Sequence, residues 1–129
     1  MAGSNYLLDT VIVVAYFNRD PLILQHLQSS TFVVPSVVIG ELFFGAYHSG
    51  RAAKNVQQVR AFVARNVILS CDEVTGDYYG QIKQQLAAKG RPIPENDIWI
   101  AALAMQHALP LVTRDGHFRE IDELTLIPW

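Results

Sequence analysis

Residues 6–14, with the sequence YLLDTVIVV, contain the pattern that decides the fold: a short apolar run, one acidic residue and a second apolar run. The run at 6–8 is typical of a buried strand, because parallel strands covered on both faces are continuously apolar. Asp9 and Thr10 follow at once, and threonine can cap the helix that the next residues predict, roughly 11–18. The stretch therefore predicts a strand–helix unit with a carboxylate at the end of its strand.

The rest of the chain repeats this alternation. Further strands are predicted at 32–35, 67–69, 111–113 and 124–127, and further helices at 22–27, 37–48, 51–65, 72–89 and 95–107. Strands that alternate with helices predict an α/β fold. A length of 129 residues is close to the commonest domain size, so we expect one domain over residues 1–129.

Composition excludes several classes of protein. Half of the residues are hydrophobic and 17% are charged, which excludes a wholly disordered chain. The formal net charge of −2 lacks the basic excess of most nucleic-acid-binding proteins, so any such partner requires local positive charge or metal ions. Cys71 is the only cysteine and predicts neither an internal disulfide nor a thiolate metal site. We expect it to be buried or half-buried.

The apolar N-terminal stretch predicts neither a signal peptide nor a membrane span. Asp9 interrupts it, no basic residue precedes it, and it is too short to cross a bilayer. We therefore expect a soluble cytoplasmic protein with no membrane partner. Whether Ala2-Gly3-Ser4 is native is left open.

Four of the twelve acidic residues have apolar surroundings: Asp9, Glu41, Asp97 and Asp115. Each taken alone is explained by a helix cap or a salt bridge. Together they are harder to explain in this way, because buried carboxylates need partners and Arg114 is the only cation immediately beside any of them.

The predicted positions of these acids favour a single metal site. Asp9 and Asp115 follow predicted strands, and Glu41 and Asp97 lie early in helices that begin at the same edge of the sheet, where ligands of parallel α/β proteins bind. Carboxylates gathered there repel one another unless a cation is present. An all-oxygen site suits Mg²⁺ or Mn²⁺. The pattern predicts metal-assisted hydrolysis of a phosphodiester by a metal-activated water.

Four motifs in order resemble those of the PIN domain family over the whole chain: LLDT at 7–10, GEL and FGA within 40–46, NDIWIAA at 96–102, and LVTRDGHF at 111–118. The closest subgroup is that of the VapC-like toxins of type II toxin–antitoxin modules. This resemblance implies a three-layer α/β/α sandwich around a mostly parallel sheet of roughly four to five strands, with strand one beside strand four. It also implies a Mg²⁺-dependent endoribonuclease that is usually a homodimer and is inhibited by a small cognate antitoxin.

The resemblance also implies roles for individual residues. Asp9 and Asp97 would be the main metal ligands, and Glu41 and Asp115 would complete the catalytic site. Hydroxyl and amide groups beside these acids either orient waters or act as caps, namely Thr10, Asn96 and Thr113. The sequence departs from many relatives at Val11, where they carry a polar residue.

Several residues keep two interpretations. Arg51 and Lys54 either contact RNA phosphates or form a solvated helix face. His117 is either a general base or a loop hydrogen-bonding residue, and we favour the loop. Aromatic residues follow Glu41 at spacings that cannot all face the core, so those left exposed are a candidate partner surface: Phe43, Phe44 and Tyr47.

The alternative functions are also specific. One is a catalytically silent PIN module that binds RNA or a partner protein. Another is a different acid-rich phosphoryl-transfer enzyme. A haloacid-dehalogenase-type phosphatase, however, needs an aspartate at position 11, which is Val11 here, and a response-regulator receiver needs paired acids near its first strand, where only Asp9 is present.

Overall fold

A computed structural model describes residues 5–129, so Ala2-Gly3-Ser4 lie outside the described part. Five strands are present, β1 Asn5–Leu8, β2 Thr31–Pro35, β3 Ile68–Leu69, β4 Leu111–Val112 and β5 Leu126–Ile127. Six α-helices connect them, α1 Thr10–Phe17, α2 Pro21–Gln28, α3 Ser36–Tyr47, α4 Ala52–Arg65, α5 Glu73–Lys89 and α6 Glu95–Gln106, and a 3₁₀ helix spans Gly116–Glu120.

The sheet has the order β3-β2-β1-β4-β5, and all four strand pairs are parallel. Leu7 of β1 pairs with Val33 of β2 on one side and with Leu111 of β4 on the other. The chain builds the sheet outward from β1 to β3 and then returns to the other side of β1 for β4. The expected α/β fold and the expected pairing of strands one and four are confirmed, and the order of strands switches between β1 and β4.

Apolar helix faces cover this sheet. Leu7 and Leu8 of β1 and Leu111 of β4 are fully buried, as parallel strands between two helical layers should be. Helix α6 packs against α5, and α3 packs against α4. Every residue of α6 from Ile100 to Ala104 is buried, as expected of a helix that is apolar on nearly all sides.

The longest helix, α5, has 17 residues and carries several charged side chains. Among the helices described between residues 5 and 129, none is long and apolar enough to cross a membrane.

Two local predictions are wrong. Thr10 does not cap α1; it is the first residue of that helix, and the cap is Asp9, whose side chain accepts a hydrogen bond from the Thr10 N–H. The sequence rule for caps allows either residue, and the carboxylate fills the position because the Thr10 hydroxyl has a partner on another helix. Cys71 is exposed rather than buried, because it lies in the connection between β3 and α5.

Candidate active site

Asp9 lies at the carboxyl end of β1, where the chain turns into α1. Its side chain is only 3% exposed, and both of its oxygens accept hydrogen bonds. Oδ1 accepts from the Thr10 N–H at 2.8 Å, and Oδ2 accepts from the Thr113 hydroxyl at 2.7 Å. Because charge-assisted bonds of this length are among the stronger ones in proteins, the orientation of this carboxylate is fixed by the backbone of α1 and by the end of β4.

Glu41 reaches the same edge of the sheet from the second turn of α3. The Thr10 hydroxyl donates to Glu41 Oε1 at 2.6 Å, a contact between residues 31 positions apart. Thr10 therefore joins two acids: its N–H binds Asp9 and its hydroxyl binds Glu41. The threonine expected beside the site is present, and its hydroxyl orients a carboxylate.

Asp115 lies beyond the carboxyl end of β4, after Thr113 and Arg114. Its Oδ1 accepts from the His117 N–H at 2.9 Å and so caps the 3₁₀ helix. Its own N–H donates to the Thr113 hydroxyl oxygen at 3.0 Å. Thr113 is 5% exposed and bridges the two strand-end acids, since it donates to Asp9 and accepts from Asp115.

Asp97 approaches from the first turn of α6 and meets the 3₁₀ helix. Asp97 Oδ2 lies 3.3 Å from Nδ1 of His117, and that nitrogen lies 3.2 Å from Asp115 Oδ1. These three side chains form a group whose potential ligand atoms all lie within 4.8 Å of one another. The sequence does not predict the contact of the His117 ring with two acids, although His117 lies only two residues after Asp115.

Electrostatics links all four acids. The pKa of Asp97 is raised to about 6, mainly by burial and then by the negative charges of Asp9 and Asp115, while the hydrogen bond from His117 opposes the rise. Burial also raises the pKa of Asp9, with additional contributions from Asp115 and Glu41, while the bonds from Thr113 and Thr10 oppose the rise. Neighbouring carboxylates therefore disfavour the ionisation of Asp9 and of Asp97.

Arg114 does not relieve this repulsion. Its guanidinium is directed elsewhere: NH1 lies 3.0 Å from Asp20 Oδ2, and Nε donates to the carbonyl oxygen of Trp129 at 2.7 Å. A set of carboxylates that is partly buried, mutually repelling and without this adjacent cation has the chemistry of a hard divalent-cation site. The donor set fits Mg²⁺ or Mn²⁺.

Three of the four acids, Glu41, Asp97 and Asp115, line recesses in the surface. A cleft of about 420 Å³ is lined by Glu41, Asp97, Asp115 and His117 together with the exposed Asn96. Glu41 and Asn96 also line a second cleft of about 610 Å³, with Thr10 and Phe44. A third hollow, of about 280 Å³, passes from Glu41 to Asn55 and Gln58 of α4. Glu41 is shared by all three, so an extended ligand along this surface would pass the acids.

Arg51 and Lys54 are exposed at the beginning of α4. Each lies four residues, about one helical turn, before a polar residue of the third hollow, Asn55 and Gln58 respectively. Neither basic residue lines any of the three recesses. Their contact with phosphate stays a prediction.

Comparison with known proteins gives one family. Residues 6–124 match the PIN domain family. The chain is 35% identical over 122 residues to ribonuclease VapC2 of Haemophilus influenzae, covering 92% of this chain and 91% of that protein. It is 29% identical over 128 residues to the tRNA(fMet)-specific endonuclease VapC of Shigella flexneri, covering 96% of this chain and 97% of that protein.

Solved structures agree. The crystal structure of VapBC2 from Rickettsia felis, bound to a DNA fragment from its promoter, matches with a TM-score of 0.90 at 30% identity, over 97% of this chain and 98% of that one. VapBC-1 from nontypeable Haemophilus influenzae matches with a TM-score of 0.86 at 27% identity, over 97% and 98%. The family whose motifs the sequence resembles is thus found by profile, by pairwise identity and by fold, and this chain belongs to the PIN domain family.

Proposed function

We propose that this PIN domain, as one domain over residues 1–129, is a Mg²⁺-dependent endoribonuclease and the toxin of a type II toxin–antitoxin system. The observation that carries the proposal is the meeting of Asp9, Glu41, Asp97 and Asp115 at the carboxyl edge of the sheet, beside the switch in strand order. The names of its relatives, ribonuclease VapC2 and tRNA(fMet)-specific endonuclease VapC, support RNA as the substrate.

We assign the following roles to the residues of the site. Asp9 and Asp97 would hold the cation, Mg²⁺ or Mn²⁺, and Glu41 and Asp115 would complete the site. A bound divalent ion at such a site lowers the pKa of water and stabilises negative charge on phosphate oxygens. The Thr10 hydroxyl holds the Glu41 carboxylate, and the Thr113 hydroxyl holds the Asp9 carboxylate and the backbone N–H of Asp115. Asn96, exposed between two clefts, is placed to orient a water or a phosphate.

The partners follow from the same relatives. VapBC complexes are toxin–antitoxin assemblies, so we propose a small cognate antitoxin for this chain, a homodimeric toxin, and action in the cytoplasm, where RNA is available. A catalytically silent PIN module is the competing function. The presence of all four acids, with their hydrogen-bond partners, supports the catalytic one.

The test is cleavage of RNA by the purified chain in Mg²⁺, compared with Asp9→Asn and Asp97→Asn. Each substitution keeps the shape of the side chain and removes its charge, so cleavage should fall on the order of a hundredfold or more. Asp77→Asn is the matched control, because Asp77 is an exposed aspartate on α5, away from the four acids, and its carboxylate accepts a hydrogen bond from Gln81. Full cleavage by Asp9→Asn would refute the site, and an inert wild-type chain in both Mg²⁺ and Mn²⁺ would favour the silent module.

A further inference from the structure

His117 faces the metal-binding acids with a nitrogen atom rather than an oxygen. Its ring nitrogen Nδ1 lies 3.2 Å from Asp115 Oδ1 and 3.3 Å from Asp97 Oδ2. Neighbouring ligands of an octahedral divalent ion, bound at 2.0–2.1 Å, are separated by about 3 Å. The two nitrogen–oxygen distances are therefore close to those between adjacent positions around one cation, and the three side chains keep ligand atoms within 4.8 Å of one another.

The ring is placed by the backbone. The His117 N–H donates to Asp115 Oδ1, and the 3₁₀ helix that begins there includes the fully buried Phe118. A buried side chain next in sequence anchors this turn in the core. The His117 side chain is 54% exposed and lines the cleft with both acids, so the imidazole is accessible to an ion that enters there.

We propose that His117 is a nitrogen ligand, which with Asp97 and Asp115 forms a mixed nitrogen–oxygen site that prefers Mn²⁺ or another first-row transition ion over Mg²⁺. Mg²⁺ is bound almost entirely through oxygen, whereas first-row ions accept imidazole. The inference rests on the metal binding that the proposed function requires and deepens it, since it names the feature by which this chain selects its ion.

Two substitutions test the contribution of the imidazole without changing the carboxylates of the site. His117→Asn offers an oxygen of similar reach, and His117→Ala offers no ligand. Both leave the four carboxylates in place. The wild-type chain should bind Mn²⁺ more tightly than Mg²⁺ in calorimetric titrations, and this preference should fall about tenfold in both variants. His107→Asn is the matched control, because His107 is an exposed histidine at the opposite end of α6 from Asp97.

A spectroscopic measurement on the unaltered chain makes the test independent of how the variants fold. Pulsed electron paramagnetic resonance of bound Mn²⁺ should detect coupling to a histidine ¹⁴N nucleus, and the coupling should change when the chain is labelled with ¹⁵N-histidine. The coupling should be absent in His117→Ala and present in His107→Asn. Mn²⁺ bound without nitrogen coupling would overturn the role of His117 alone. No binding of Mn²⁺ or Mg²⁺ to the wild-type chain would overturn both this inference and the metal-dependent function.

Discussion

At the scale of single residues, Thr113 is the side chain on which the geometry of the acids depends most. Its buried hydroxyl donates to the Asp9 carboxylate and accepts from the Asp115 N–H, so one oxygen links the Asp9 side chain to the backbone that carries Asp115. Thr113→Val keeps the shape and removes both bonds. We expect RNA cleavage to fall about tenfold or more. We also expect the free energy of unfolding to fall by roughly 1–3 kcal/mol, because the buried Asp9 carboxylate loses a donor and the half-buried Asp115 N–H loses its acceptor.

The pH profile distinguishes this effect from simple unfolding. The Thr113 hydroxyl lowers the pKa of Asp9 against the rise caused by burial. Without it, that pKa moves further up, and the acidic limb of the cleavage profile should shift to higher pH. Serine retains the hydroxyl, so Thr113→Ser is the control and should keep the wild-type limb. An unchanged limb in Thr113→Val would mean that the hydroxyl does not tune Asp9.

Asp97 makes the stability of the metal-free chain depend on pH. Its pKa is raised to about 6 in the folded chain, against 3.8 for the unfolded reference, so folding favours the protonated form. The folded state therefore holds the extra proton between these values, and stability is lost as the pH rises from about 4 through about 6. The raised pKa of Asp9 acts in the same direction.

Thermal unfolding in a chelator should consequently give a Tm that decreases from pH 4 to pH 7, apart from the effects of other groups. In Asp97→Asn the decrease should be smaller and the Tm at pH 7 higher than in the wild type. Saturating Mg²⁺ should raise the Tm of the wild-type chain at pH 7 above its value in chelator, because a ligand that binds only the folded state stabilises it. If Tm falls with pH by the same amount in the wild-type chain and in Asp97→Asn, both in chelator, this account is contradicted.

At the scale of elements, α4 is the helix that would contact a polyanion. Arg51 and Lys54 each lie about one turn before a residue of the third hollow. Arg60 lies about 200° around the helix from Gln58, which lines that hollow. If both basic residues contact phosphates, Arg51→Ala with Lys54→Ala should reduce the salt dependence of RNA affinity by a slope of about 1.4, at roughly 0.7 for each contact with single strands. Arg60→Ala should leave the slope unchanged. Equal slopes in all three chains would assign Arg51 and Lys54 to the solvated surface.

The elements also show what the sequence can and cannot predict. Short continuous apolar runs predicted the five parallel strands. The acids that come after β1 and β4, Asp9 and Asp115, lie at the predicted edge of the sheet because strand direction alone determines it. The contact of Thr10 with Glu41 was not predictable, since it depends on how α1 and α3 cross. The exposure of Cys71 was missed for a similar reason, because a small apolar residue in a connection carries no periodicity.

At the scale of the whole molecule, the topology determines where the negative charge of the chain is concentrated. The chain has a net charge of −2 and gathers four acids beside the β1–β4 switch, so the bare cleft would repel RNA. Binding of a polyanion there requires a cation in the cleft or basic residues at its margin. The absence of a basic excess, visible in the sequence, is therefore compatible with a nuclease only because the acids converge in space.

The remaining surface feature is aromatic. Phe44 and Tyr47 of α3 are 71% and 60% exposed, and their rings stack on His48 and Phe43 respectively. Phe43 itself is half-buried, which confirms that the three aromatic residues after Glu41 cannot all face the core. Val11 and Val14 of α1, the helix packed beside α3, are also exposed. Phe44 of this aromatic face lines the second cleft together with Glu41, so a protein bound on the face would lie beside that cleft.

We expect the cognate antitoxin to bind this aromatic face. Buried aromatic anchors contribute a large share of the binding energy of protein interfaces, so Phe44→Ser with Tyr47→Ser should weaken the toxin–antitoxin Kd at least about tenfold, or roughly 1.4 kcal/mol. Leu22→Ser is the control, because Leu22 is 55% exposed on α2 and lies outside the face. The measurement is calorimetric titration of purified antitoxin into each chain, with size-exclusion chromatography of the toxin alone. Unchanged affinity combined with loss of the toxin dimer would assign the face to the contact between two copies of this chain instead.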